Sequence, residues 1–185
     1  MATDRGLCVA ALLDSVFFDG SEGRARETLR KAVALGAPLV AGPLANETEM
    51  SWSDQLARLG AATSLAKESN VTLAVRNAPH TFAASTHDCK RVVKETDSAW
   101  LRFGPEPRAF DAASEPSALA TNSVLLWSNV GDETERSIGD VIGGFGSFRG
   151  HLVLDEPSGD AAKGDLRSAM RSWRIALASL TLDRT

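Results

Sequence analysis

The chain has 185 residues and is 43% hydrophobic, enough to bury one substantial core but too little for two ordinary domains, so residues 1–185 are read as a single domain. Its 20 basic and 24 acidic residues leave a net charge of -4 with no long run of either sign, which argues against nucleic acid and membrane surfaces as partners. The polar start, Met1 to Arg5, and the lack of any apolar run near about 18 residues argue against a signal peptide or spanning helix, so the expected location is the cytoplasm.

Short apolar runs alternate with segments of helical period along the whole chain, the order expected of a parallel sheet buried on both faces. The first run is Leu7 to Leu13. A helical stripe follows through Ala25, Leu29, Ala32 and Val33, with Gly36 as its C-terminal cap. Pro38 to Ala41 reads as the second strand, and Leu56, Leu59, Thr63 and Ala66 mark the next helix. Val71 to Val75 is the clearest β run. Ser85 or Thr86 then caps a helix whose inner face is Cys89, Val92 and Val93, with Asp88 suited to its positive end. Three further strands are expected at Ala99 to Phe103, Ser123 to Trp127 and Leu152 to Asp155, each followed by a helical segment. Gly143, Gly144 and Gly146 weaken the helix before the last strand, whereas Leu166, Met170, Trp173, Leu177 and Leu180 give the final helix its stripe. Cys8 and Cys89 lack CxxC or zinc-type spacing and read as small buried side chains.

The fold class is therefore α/β, a partial or shortened TIM-like barrel of about six parallel strands alternating with helices. An open six-stranded sheet leaves two unpaired edges, which predicts a homo-oligomer, a partner chain, tight closure with altered strand tilt, or covering by the chain's own loops and termini. In such folds chemistry sits where strands end. These positions are Asp14, Gly42-Pro43, Arg76-Asn77, Gly104-Pro105-Glu106, Trp127-Ser128-Asn129 and Asp155-Glu156.

Three phrases carry a family resemblance: Ala-Leu-Gly-Ala-Pro-Leu-Val around residues 34 to 40, Asn70 to Asn77 and Thr96 to Phe103, with Arg149 to Glu156 as a fourth. They resemble the xylose isomerase-like barrels of the sugar-phosphate isomerase/epimerase group, with the chain aligned from the family's third strand to its end. The resemblance implies a divalent metal held by carboxylates and a histidine at four strand ends, where it polarises a sugar carbonyl. On that alignment the expected ligand positions fall on Arg76, Gly104, the neighbourhood of Trp127, and Asp155. Three of the four carry no ligand, and Arg76 is a cation, so no metal cofactor is expected.

Strand alternation turns Arg76, Arg102 and Asp155 toward the barrel interior. Either Arg76 and Arg102 form an anion pocket for phosphate or carboxylate, or Asp155 or Glu156 pairs with Arg76 and fills the emptied space. His80, in the loop after Asn77, is a candidate acid/base group or else a solvated loop histidine. Glu106 either reaches the same pocket or stands as a rigid exposed residue between two prolines. Trp127 either stacks on a sugar or plugs the site. The candidate set is thus His80, Glu106, Asp155 and Glu156 for proton transfer, and Arg76, Asn77, Arg102, Trp127 and Asn129 for a small sugar or anionic ligand. The functional expectation is a degenerate isomerase/epimerase-like binding or scaffold protein. The alternatives are an active sugar isomerase using these other groups, and a subunit assembled through the open sheet edge.

Overall fold

The computed structural model describes residues 6–110, 113–129, 144–145, 148–155, 170–171 and 174–175. Among the described residues, six parallel strands follow one another in chain order: β1 (Leu12–Leu13), β2 (Leu39–Pro43), β3 (Thr72–Arg76), β4 (Leu101–Phe103), β5 (Leu125–Asn129) and β6 (His151–Asp155). The first four form one continuous sheet and the last two pair with each other. The halves join where Val124 N–H donates to the Phe103 carbonyl at 2.8 Å and Trp127 N–H to the Pro105 carbonyl at 2.9 Å. Among the described residues, no helix is long and apolar enough to cross a membrane.

Among the described residues, three full helices cover the outer face: α1 (Glu22–Leu35), α2 (Trp52–Ser69) and α3 (Thr86–Thr96). Each begins at a serine whose hydroxyl accepts from a free first-turn amide: Ser21 from Arg24, Ser51 from Asp54, Ser85 from Asp88. At Ser85 the Asp88 side chain also accepts from the Ser85 amide, completing a reciprocal capping box. Gly36 ends α1 in the left-handed conformation, where its missing Cβ removes the penalty, as the sequence predicts.

The two faces of the sheet differ. Val40, Leu73, Val75, Leu101 and Phe103 point outward and pack with Leu29, Leu59, Leu65 and Val92 of the helices into the main core. Leu39, Ala41, Ala74, Leu125 and Trp127 point inward into a smaller cluster. Ala11 before β1 and Val153 of β6 both pack on that cluster, so the ends of the sheet curl around one interior.

The structure corrects several expectations. β1 is two residues long instead of seven. The segment after β4 forms two 3-10 turns, Pro107–Ala109 and Pro116–Asn122, instead of a helix, since Pro105, Pro107 and Pro116 interrupt the amide ladder an α-helix needs. Cys8 is exposed, and only Cys89 is buried. Met170 is exposed, which removes it from the inner stripe of the final helix; Leu166, Trp173, Leu177 and Leu180 lie outside the described residues, as do Gly143 and Gly146.

Candidate functional site

Arg76 is the last residue of β3 and, like Ala74 two positions earlier, lies on the interior face. Its guanidinium Nη2 donates to Glu106 Oε2 at 2.7 Å and Nε reaches the same oxygen at 3.3 Å. Its carbon centre lies 4.2 Å from the Trp127 ring centroid, a cation–π contact with a ring that is itself buried. The Glu106 carboxylate is held there from below. Asn77 donates its side-chain N–H to the Glu106 carbonyl at 3.1 Å, and its Oδ1 accepts the Glu106 amide at 2.7 Å. This two-point clamp joins the ends of β3 and β4, and Asn77 is almost fully buried within it.

Trp127 occupies the middle of the interior. Room for it comes from Gly104, where a Cβ would stand 2.9 Å from the indole Nε1 and 3.1 Å from Leu125 Cβ. The Nε1 donor is buried and has no hydrogen-bond partner among the described residues. An unmet buried N–H carries a desolvation cost of about 1–3 kcal/mol, which the cation–π contact and the burial of the large ring offset.

Beside this cluster a cavity of about 320 Å³ opens at the ends of β1, β2 and β3, lined by Leu13, Asp14, Ser15, Pro43, Arg76 and Trp127 among others. Asp14 borders it, with its carboxylate turned toward α1. Oδ2 accepts from the Thr28 hydroxyl at 2.7 Å, while Oδ1 accepts from Val16 N–H and Arg24 Nη2, each at 3.2 Å. Burial alone would raise the carboxyl's pKa, but the hydrogen bonds from Thr28, Val16 and Arg24 outweigh it and hold Asp14 below its ordinary value. Asp14 therefore stays ionised and acceptor-only, with lone-pair capacity left on Oδ2 for one further donor.

The sequence-predicted residues divide accordingly. Arg76, Asn77, Glu106 and Trp127 converge, and Glu106 turns inward instead of standing exposed between its prolines. Arg102 faces inward one layer below Arg76, opposite Ala74, but its Nη1 donates to the Leu101 carbonyl at 2.8 Å and it does not line the cavity. The two arginines thus form no joint anion pocket, because the Leu101 carbonyl draws the second one aside. His80 is exposed with φ 60°, its carbonyl accepting from Glu47 N–H, and it does not line the cavity either. Asn129 and Asp155 pair by backbone at the ends of β5 and β6. Their side chains and the whole of Glu156 lie outside the described residues. Sequence reasoning noted Asp14 as a strand end but gave it no role. The available signal was Arg24 and Thr28, ten and fourteen residues on, at the start of a helix that returns over the same strand.

Three of the positions where the resemblance places metal ligands carry no carboxylate or imidazole. They hold a guanidinium, an indole whose N–H is a donor, and a glycine, where hard cations require carboxylates and carbonyls. No group of three His, Cys, Asp or Glu that could hold a metal occurs among the described residues.

No protein-family model matches the sequence, and no curated protein matches it. Solved structures do match. L-ribulose 3-epimerase superimposes with a TM-score of 0.74 at 17% identity, over 99% of this chain and 80% of that one. The probable 3-DHS dehydratase AsbF from Bacillus anthracis gives 0.74 at 12%, over 91% and 77%. A xylose isomerase-like TIM barrel protein from Mycobacterium smegmatis, in complex with magnesium, gives 0.67 at 13%, over 97% and 75%. The chain has the fold of the xylose isomerase-like TIM barrels, as the resemblance in its sequence implies.

Proposed function

We propose that this chain is a small-molecule binding protein on an isomerase/epimerase-like fold, whose strand-end cavity takes an uncharged polyhydroxy ligand without metal-dependent turnover. The observation that carries the reading is the position of Arg76, clamped between the Glu106 carboxylate and the Trp127 ring where the resemblance expects a metal ligand. A fixed cation there opposes a divalent ion by direct repulsion. Glu106 already meets the arginine's charge, so the cavity offers no unbalanced positive centre for a phosphate. It is bordered instead by the backbone at Asp14, Gly42 and Pro43 and by Ser15, uncharged polar groups that suit ligand hydroxyls.

Proton transfer at a sugar carbon needs a free base within hydrogen-bond reach of the carbon acid. Glu106 is engaged by Arg76, and Asp14 is held ionised by three donors on the α1 side, so both carboxylates serve as structural groups in this reading. Titration calorimetry with Mn²⁺, Mg²⁺ and Zn²⁺, then with ketopentoses, ketohexoses and inositols, tests it. The expected result is heat from a polyol, weakened in Asp14→Ala, which frees the cavity-lining Asp14-Ser15 turn from α1, with no stoichiometric ion. A stoichiometric ion lost on substitution of Trp127, or turnover of any sugar in the panel, overturns it.

A further inference from the structure

A second and larger cavity, about 450 Å³, lies on the opposite side of the sheet from the strand-end site, between α1 and α2 on the outer surface. Its floor is apolar: Phe17 and Phe18, packed edge to face at 5.1 Å, with Ala25 and Leu65. The exposed Ala61 forms a low wall. This size and lining match a pocket for one small amphiphilic molecule.

The rim is electrostatically uneven. At one end Arg26 is shared by two carboxylates, Glu22 at 2.9 Å and Glu68 at 3.7 Å. At the other, Arg58 is half-buried and makes no hydrogen bond or ion pair with any described residue. Its side chain passes over Gly20, where a Cβ would come within 2.6 Å of Arg58 Cδ and Nε. Gly20, at φ 96°, thus both makes the turn into α1 and leaves the shelf on which Arg58 rests. Packing holds the cation at the mouth of an apolar groove, with its planar donor fork unused.

We infer that this groove binds a small monocarboxylate with an apolar chain, the carboxylate on Arg58 and the chain along Phe17, Phe18 and Leu65. The carboxylate end cannot lie at Arg26, where two acidic side chains repel it, so the ligand has one orientation. The inference is independent of the strand-end reading, since the two cavities share no lining residue.

Calorimetric titration of the full chain with sodium decanoate and with methyl decanoate decides it. Decanoate should bind at one site with a Kd below about 1 mM, and the ester at least tenfold more weakly. Arg58→Gln should weaken decanoate by roughly 10–100-fold while leaving the ester unchanged, as loss of a charge-assisted pair predicts. Ala61→Phe, on an exposed position that tolerates bulk, should block both probes, with circular dichroism verifying that each variant is folded. Equal binding of acid and ester, an unaffected Arg58→Gln, or no binding of decanoate in the millimolar range each overturns the inference.

Discussion

The two faces of one sheet have been put to different uses. Outward, β2 to β4 present Val40, Leu73, Val75, Leu101 and Phe103 to the helices, all essentially without solvent contact. Inward, the same strands present Leu39, Ala41, Ala74, Arg102 and Arg76, of which Leu39 alone is large and apolar, so the apolar burial on this face is smaller. Stability therefore resides on the helix side, where burial of each large side chain contributes on the order of 1.5–3 kcal/mol. The interior is held by directed contacts between a few residues, and these leave a cavity at the strand ends. A fold organised in this way can change its interior chemistry without losing its core.

The comparison breaks most visibly if an outer-face truncation proves mild. Phe103→Ala should cost about 3–5 kcal/mol in urea unfolding, the range for emptying a packed aromatic site. An inner-face change should cost less: Glu106→Gln removes one carboxylate from a partly buried guanidinium, for a loss of about 1–2 kcal/mol. A double-mutant cycle with Arg76→Met should show coupling above roughly 0.5 kcal/mol, and additive effects would mean that the pair is not a unit.

Smaller still is the acid response of Asp14. Its folded pKa lies below the ordinary 3.8, so its contribution to stability is fully present above that value and is lost as pH falls through the lower folded pKa. Asp14→Asn should flatten the stability–pH curve below about pH 4 and leave its shape near neutrality unchanged. The least energetic test is chemical. Burial pushes the Cys89 thiol up to about 12, so at pH 8 a thiol reagent should modify Cys8 quickly and Cys89 only on unfolding. Two fast thiols would show the outer core to be loose.

Much of the fold was legible because it rests on local pattern. The six apolar runs appear as six parallel strands, and Gly36 and Ser85 cap the helices expected of them. Most strand limits slip toward the C-terminal end, whereas β6 starts one residue early, at His151. Ser123 to Trp127 was expected where Leu125–Asn129 is observed, because hydrophobicity marks double-sided burial while the hydrogen-bond ladder continues into polar residues. The failure after β4 was also readable in principle, since three prolines in twelve residues outweigh a weak helical period.

The site was legible in its residues and not in its pairings. Arg76, Asn77 and Trp127 could be placed by strand-end position alone. Its pairing with Glu106 could not, for it depends on a turn through Gly104-Pro105 and on Asn77 gripping the Glu106 backbone across 29 positions of chain. Arg102 shows the reverse case. Alternation gave its face correctly, but a carbonyl one residue away decided where its charge went.

The fit of Trp127 against Gly104 has a consequence for the order in which this interior can change. With the indole in place, any side chain at position 104 begins 2.9 Å from Nε1 and forces a shift. Position 127 can shrink first and leave a void; position 104 cannot grow first without a collision. The two residues therefore behave like a latch with a preferred sequence of release, and libraries that vary position 104 alone should return glycine.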